Sequence, residues 1–599
     1  MRVCDYIAKF VYEQGVQHVF TVVGGGMMYL ADGLVMQKDL KVVCTHHEQA
    51  AAMAAVSYAK YNGNLGVAYV TTGCGGTNAL TGVLNGWQDN VSCLFISGQS
   101  NRKDTIRNSG LRLRQVGVQE ADIVSIVSSI TKYSVMINEP SQIKYHLQKA
   151  VFLARTGRKG PVWIDIPLDV QRAEIDEDKL VPFDITSIAK EYKDFPSEFD
   201  IKNFKEVLSK AHRPIIIAGQ GIRHAGAIEQ FKDFVERTEI PFVVSRLGIN
   251  LLPTNHPKYI GRIGVKGDRA GNFAVQNADL VIVIGSRLSI SSTGYDYSLF
   301  AREATIVVVD IDREEHKKEG VRIDYFINSD AKGFFMKFQD IEFVSKNGWS
   351  TQCSVWRDTW QVCLEQKTLD SSKGVNTYYF VSFLSKCMEE DAVVVSDAGS
   401  SFYVTSQAIQ LKENQRYITS GGQAEMGYTL PATIGVCFAR GEKNVIGITG
   451  DGSFQMNIQE LQTLKHYKLP VKLFVWNNNG YSSIRDTQNK FFGGRLIGTD
   501  SDSGVSFPDL EKIAGAYGIE FFRLYKYYMF EEFIKKILLL EYPVICEVMC
   551  EEGQQVLPTI ASFIKKDGTI ATRPLEDMYP LLDRGEFYSN MIIKPIEYE

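Results

Sequence analysis

The 599-residue chain has ten cysteines but no Cys-x-x-C pair; the nearest two, Cys546 and Cys550, stand four apart. Neither a thiolate metal knuckle nor a disulfide framework is indicated, and reduced thiols are the expectation. An excess of basic charge is missing as well. Lys and Arg number 65 against 70 Asp and Glu, the net charge is −5, and no basic stripe interleaves with aromatics, which argues against nucleic acid as a partner. No apolar run approaches membrane-spanning length. At the start of the chain Cys4, Ile7, Ala8, Phe10 and Val11 alternate with Asp5, Lys9 and Glu13, unlike the apolar stretch of a signal peptide. A cytoplasmic protein without membrane contact is expected, with a small molecule as substrate. No strong internal repeat is found.

What is present is an apolar fraction of 45% spread over a length that exceeds one hydrophobic core, so three domains are the natural expectation. The first region, 1–172, alternates helical and strand patterns and closes on Gly160-Pro161-Val162-Trp163-Ile164-Asp165-Ile166-Pro167. A charged, proline-punctuated surface linker follows. The middle region, 190–345, carries apolar strands that end in Gly or Asp: Pro214–Gly221, Asp279–Gly285 and Ile306–Asp310. Its Gly219-x-Gly221 suggests a dinucleotide turn, but His224 stands where the third glycine would be. A second linker is expected around Ser345-Lys346-Asn347-Gly348 and from Lys367 to Lys373, flanking one polar helix. The third region spans 371–550. A tail, 551–599, contains Pro574-Leu575-Glu576-Asp577-Met578-Tyr579-Pro580, too aromatic for plain disorder, and is expected to pack on the body.

The densest signal lies in the third region. Val445-Ile446-Gly447-Ile448 reads as a buried strand that stops at Gly450-Asp451-Gly452. Phe454, Ile458, Leu461 and Leu464 then predict one amphipathic helix, with Lys465 and His466 near its end. Val471–Trp476 predicts a second strand running into Asn477-Asn478-Asn479-Gly480. In a right-handed β-α-β unit both polar turns emerge at the same carboxyl edge, so Asp451 and Asn478 can converge. A carboxylate, an amide oxygen and a carbonyl suit Mg²⁺, and the helix start at Gly452 and Ser453 offers amides to an anion.

This pattern resembles the thiamine-diphosphate enzymes, and the wider sequence resembles their acetohydroxyacid (acetolactate) synthase branch. The resemblance implies an α/β protein of three doubly wound parallel-sheet domains, pyrimidine-binding, central and diphosphate-binding. It implies thiamine diphosphate and Mg²⁺ as cofactors, with Asp451, Asn478 and the Gly480 carbonyl as metal ligands and Gly452, Ser453 and Tyr481 beside the cofactor. His46-His47-Glu48-Gln49 resembles the family's His-Glu-Gln segment, so Glu48 is the acid expected to bond the pyrimidine and favour its imino form. Gly422-Gln423-Ala424-Glu425-Met426-Gly427 resembles the loop where Met426 wedges under the bent cofactor while the Ala424 carbonyl and Met426 amide hold the pyrimidine edge. Thr71–Asn78 resembles another family loop, with Cys74 in place of proline. Gln119-Glu120 resembles its Phe-Gln-Glu segment, with Val118 for phenylalanine and Gln119 near the reacting carbons.

The chemistry so implied is decarboxylation of a 2-oxo acid such as pyruvate, followed by ligation to a second carbonyl. Two departures bear on the acceptor. Ser291 stands where the synthases carry a carboxylate-binding arginine, and Arg485 stands where they carry a tryptophan favouring larger 2-oxo acids. Arg485 is read either as an anion ligand or as a solvated surface arginine. The alternatives are a carboligase acting on a nucleotide-linked keto sugar, a cyclic-diketone hydrolase, and a catalytically silent subunit, the last disfavoured by the presence of Glu48, Asp451 and Asn478. Gly219, Gly221 and Arg287 keep parts of the synthases' FAD pattern, which leaves FAD open. Family members bind the cofactor between subunits, so a homodimer or dimer of dimers is implied.

Overall fold

The computed structural model describes residues 1–189, 193–343, 348–365, 374–525, 530–564 and 568–596. The linker stretches 345–347 and 367–373 lie outside the described residues. Three six-stranded sheets, all parallel, carry the α/β fold. The first holds β1 (His18–Thr21), β2 (Lys41–Cys44), β3 (Gly66–Val70), β4 (Cys93–Gln99), β5 (Tyr133–Met136) and β6 (Pro161–Pro167), in the order β2-β1-β3-β4-β6-β5. The second holds β7 (Pro214–Ala218), β8 (Phe242–Val244), β9 (Tyr259–Arg262), β10 (Leu280–Ile284), β11 (Thr305–Asp310) and β12 (Tyr325–Asn328), ordered β12-β11-β10-β7-β8-β9. The third holds β13 (Val393–Ser396), β14 (Arg416–Thr419), β15 (Val445–Gly450), β16 (Val471–Asn477), β17 (Glu520–Leu524) and β18 (Val544–Met549), ordered β14-β13-β15-β16-β18-β17.

Central strands such as β10 are buried at every position, as a parallel sheet covered on both faces requires. In the third sheet the chain order reverses between β13 and β15. That switch point opens a crevice at the carboxyl ends of β13, β15 and β16, where ligands bind in open α/β sheets.

The first and third sheets are locked together by two helices of small residues. Glu48–Asn62 is an alanine-rich helix capped by His47, whose Nδ1 accepts from Gln49 N at 3.1 Å. It lies against the helix Thr429–Ala439. The approach is close enough that a Cβ on Gly435 would stand 2.1 Å from the Ala54 carbonyl, so only glycine fits there. Ser57 Oγ donates across the contact to the Ala432 carbonyl at 3.0 Å.

One element departs from expectation. The helix expected to be polar, Trp349–Thr359, buries Trp349, Cys353 and Trp356 and sets Trp356 against Phe273 at 5.6 Å between ring centres. The tail runs back along the central sheet. Ile560 N donates to the Val265 carbonyl at 2.8 Å, Gln276 Nε2 donates to Glu576 at 2.7 Å, and Trp356 Nε1 donates to Asn590 at 2.7 Å.

Candidate active site

Asp451 immediately follows β15, which pairs in register with β16, whose last residue is Asn477. Its carboxylate accepts from Gly452 N at 2.8 Å and from Gly480 N at 3.1 Å, which ties the two turns together. Burial pushes this carboxyl up to about 6 even though those amides favour the charged form. Beside it Asn478 donates through Nδ2 to Ser482 Oγ at 3.1 Å, while its Oδ1 is buried without a protein partner. A buried acceptor left open next to a costly carboxylate is the donor set a hard cation satisfies. Among the described residues no cluster of three or more His, Cys, Asp or Glu exists, so the fit rests on mixed oxygen donors.

Gly480 has φ +137°, and a Cβ there would lie 2.0 Å from the Thr499 carbonyl. The Tyr481 ring packs on Gly452. Arg485, read from sequence as an anion ligand or a solvated surface arginine, is largely withdrawn from solvent here, and its Nε lies 3.6 Å from the Asp500 carboxylate. It is half-buried and its Nη2 donates to the Asn479 carbonyl at 2.9 Å, bracing the turn.

Ser453 couples this turn to the loop before the helix Thr429–Ala439. Its Oγ accepts from Gly427 N at 2.8 Å and donates to Asp397 Oδ2 at 2.6 Å. Ala424, in the same loop, adopts φ +52°, and Met426 is half-buried. Asp397 was not singled out from sequence. Fully buried after β13, it also accepts from Thr449 Oγ1 at 2.9 Å and from Ala398 N at 2.8 Å, and burial raises its carboxyl. It holds the ends of β13 and β15 in one frame. An acidic residue at the end of an apolar strand was the available signal.

The expected single helix after Gly452 is broken. Asp451–Phe454 and Leu461–Tyr467 are helical, but Asn457 between them has φ −133°. The cause is tertiary: Asn457 Nδ2 donates to the Gly427 carbonyl at 2.8 Å and to Gln49 Oε1 at 3.0 Å. Glu460, buried on the same segment, accepts from His46 N at 3.0 Å. The His46–Gln49 segment is thereby stitched to the third sheet.

Glu48 belongs to a second group. Its side chain is buried and accepts from Asn78 Nδ2 at 3.0 Å. Gly75 of the Thr71–Asn78 loop packs beside it, and Gly73 of that loop packs on the backbone carbonyl of Gln119. Gln119 has φ +60° and is exposed. Glu48, the 71–78 loop and Gln119 are thus neighbours, as are Asp451, Asn478, Gly480, Tyr481, Ser453 and the Met426 loop. Among the described residues Glu48 makes no hydrogen bond to the second set. Within one chain the link runs through Gln49 and Asn457.

Three family models match this chain: the thiamine pyrophosphate enzyme N-terminal binding domain over residues 1–126, the central domain over 201–338 and the C-terminal binding domain over 397–548. The chain belongs to the thiamine pyrophosphate enzymes. It is similar to the acetolactate synthase large subunit of Lactococcus lactis, 32% identical over 94% of this chain and 95% of that protein. A probable acetolactate synthase large subunit of Methanocaldococcus jannaschii is 31% identical over 94% of this chain and 93% of its own. The Escherichia coli isozyme 2 large subunit is 30% identical over 94% and 97%. No helix among the described residues is long and apolar enough to cross a membrane.

Proposed function

We propose that the protein decarboxylates pyruvate or a similar 2-oxo acid and joins the resulting two-carbon unit to a second carbonyl, as the names of its acetolactate synthase relatives suggest. Those names lend no support to the keto-sugar or cyclic-diketone readings. The observation that carries the proposal is the open Asn478 Oδ1 beside the buried Asp451 at the crevice of the third sheet. Asp451, Asn478 and the Gly480 carbonyl would hold Mg²⁺, and amides at Gly452 and Ser453 with the Tyr481 ring would face the diphosphate. Bound there, thiamine diphosphate would supply the carbanion-stabilising ring that the protein side chains lack.

The chain's own part is to position and to move protons. Glu48, buried and oriented by Asn78, would share its proton with the pyrimidine. The Ala424 carbonyl and Met426 would hold and bend the cofactor, and Gln119 would reach the reacting carbons. Asp397 would keep Ser453 and the turn aligned.

Glu48 and Asp451 stand in separate groups, so a homodimer or dimer of dimers in which each supplies half a site is part of the reading. Apolar side chains exposed on both halves support it, Val118 and Leu111 on one, Ile497 and Phe491 on the other. The domain limits proposed are 1–172, 190–345 and 371–550, with 551–599 as the tail. A cavity of about 520 Å³ lined by Gly221, Gly285, Arg287 and Asp310 is proposed to take FAD.

The test is incubation of the protein with pyruvate, Mg²⁺ and thiamine diphosphate, with products identified by mass. Acetolactate and CO₂ are expected. Absence of CO₂ release under all cofactor conditions refutes the reading. Flavin absorbance retained through gel filtration tests FAD.

A further inference from the structure

At the carboxyl edge of the central sheet, two residues past β8 and four past β9, stand Arg246 and Lys266. The Arg246 guanidinium carbon lies 4.4 Å from the Phe402 ring centre and 5.0 Å from that of Tyr403, and Lys266 Nζ lies 4.5 Å from the Tyr403 centre. Two cations therefore converge on one ring. That ring belongs to the helix Gly399–Ala408, which starts two residues beyond Asp397.

Both side chains are half-buried, and neither closes an ion pair among the described residues. Asp486 is near enough to act on Lys266 electrostatically but does not pair with it. Burial, with Arg246 adding to it, brings Lys266 down to about 8, and burial also lowers Arg246. Two like charges gathered on one ring, with the Asp486 carboxylate acting on Lys266 only from beyond pairing distance, cost the free protein stability, and an oxyanion placed between them offsets that cost.

The surroundings say which anion. Leu247 packs on Gly421, at the start of the loop that carries Ala424 and Met426. Val265, next to Lys266, donates its N–H to the Ser291 carbonyl at 2.9 Å. Arg246 and Ser291 line the same cavity. Ser291 is the position where the resembling synthases hold their acceptor-binding arginine, and a serine cannot form that bidentate contact.

We propose that Arg246 and Lys266 form the subsite for the anionic group of the acceptor substrate, replacing the arginine lost at Ser291. The inference rests on the carboligase reading above. The same cations could instead meet a phosphate of a nucleotide in the cavity, and the experiment separates the two sources.

Full-length R246Q, K266Q and K266R proteins, loaded with Mg²⁺ and thiamine diphosphate, are supplied with pyruvate as donor. The acceptor is either 2-oxobutyrate, which is anionic, or propanal, which is neutral. The glutamine variants are expected to raise the apparent KM for 2-oxobutyrate about ten- to hundred-fold, the loss of one charged hydrogen bond, and to shift products toward the propanal adduct. K266R is expected to restore most of the preference. Isothermal titration with inorganic phosphate gives a readout independent of turnover, with about tenfold weaker binding expected in the glutamine variants. Equal losses with both acceptors, or unchanged phosphate binding, overturn the proposal. So does a loss of retained flavin with acceptor preference intact, which would give the cations to the nucleotide. Failure of the wild-type protein to release CO₂ would refute the carboligase reading, while the phosphate titration would still judge the subsite.

Discussion

Lys60 Nζ lies 2.7 Å from Asp89 Oδ2, with both side chains almost completely buried. The same ammonium group donates to the Thr419 carbonyl at 2.9 Å, and Asp89 accepts from Gly421 N and Gly422 N at 2.9 and 2.7 Å. Burial would lower the Lys60 ammonium, but the charge of Asp89 and the Tyr428 ring outweigh it and hold it raised. One ion pair thus fastens the first sheet's helices to the loop that leads into Ala424 and Met426.

Lys60→Met is expected to lower stability by about 3–5 kcal/mol, because it leaves Asp89 charged, buried and unpaired. Urea unfolding followed by circular dichroism checks this. An unchanged midpoint would mean the pair carries no such burden.

Glu48→Gln is expected to abolish turnover while thiamine diphosphate still binds within a few-fold of wild type. The amide keeps the hydrogen-bonding shape but cannot share the proton. Cofactor binding followed by fluorescence, alongside CO₂ release, separates the two effects. Undiminished turnover would remove Glu48 from its assigned role.

Asp451 gives a pH dependence of definite sign. Its carboxyl is raised from 3.8 to about 6 by burial. In the metal-free protein it therefore weakens the fold above pH 6, and that penalty fades as pH falls toward 4. Mg²⁺ needs the charged form, so Mg²⁺-dependent cofactor retention is expected to fall as pH drops below about 6. Titrations with Mg²⁺ from pH 5 to pH 8 measure it, and a flat profile would contradict the assignment.

Gly480→Ala is expected to weaken cofactor binding at least about tenfold, since the added Cβ would collide with the Thr499 carbonyl in a backbone region that L-residues avoid. Direct titration of thiamine diphosphate against the variant decides it.

Much of the site was legible because its signals are local. The strands Val445–Gly450 and Val471–Asn477 announce themselves as apolar runs, and each stops at the polar turn that carries a ligand candidate. Glu48 and Met426 were reached through resemblance, since a carboxylate opening a helix and a methionine beside glycine are ordinary alone. The kink at Asn457 was not legible. Its cause lies in Gly427 and Gln49, distant in sequence, and the apolar spacing from Phe454 to Leu464 continues through it undisturbed. Arg485 was ambiguous for the same reason, because its partners, the Asn479 carbonyl and the Asp500 carboxylate, are brought to it by the fold and leave no local side-chain pattern. The helix Trp349–Thr359 was misjudged by its polar majority, whereas two tryptophans seven residues apart on one helical face decide how it packs.

The tail has a consequence for how the molecule is made. Residues Ile560, Glu576 and Asn590 close over the central sheet, whose strands begin at Pro214. During synthesis the first strand of that sheet leaves the ribosome more than three hundred residues before Asn590, and its last strand, ending at Asn328, still precedes Asn590 by about 260. The middle of the chain is therefore the part that finishes folding last, and a ribosome stalled within the third region would leave it open to proteases.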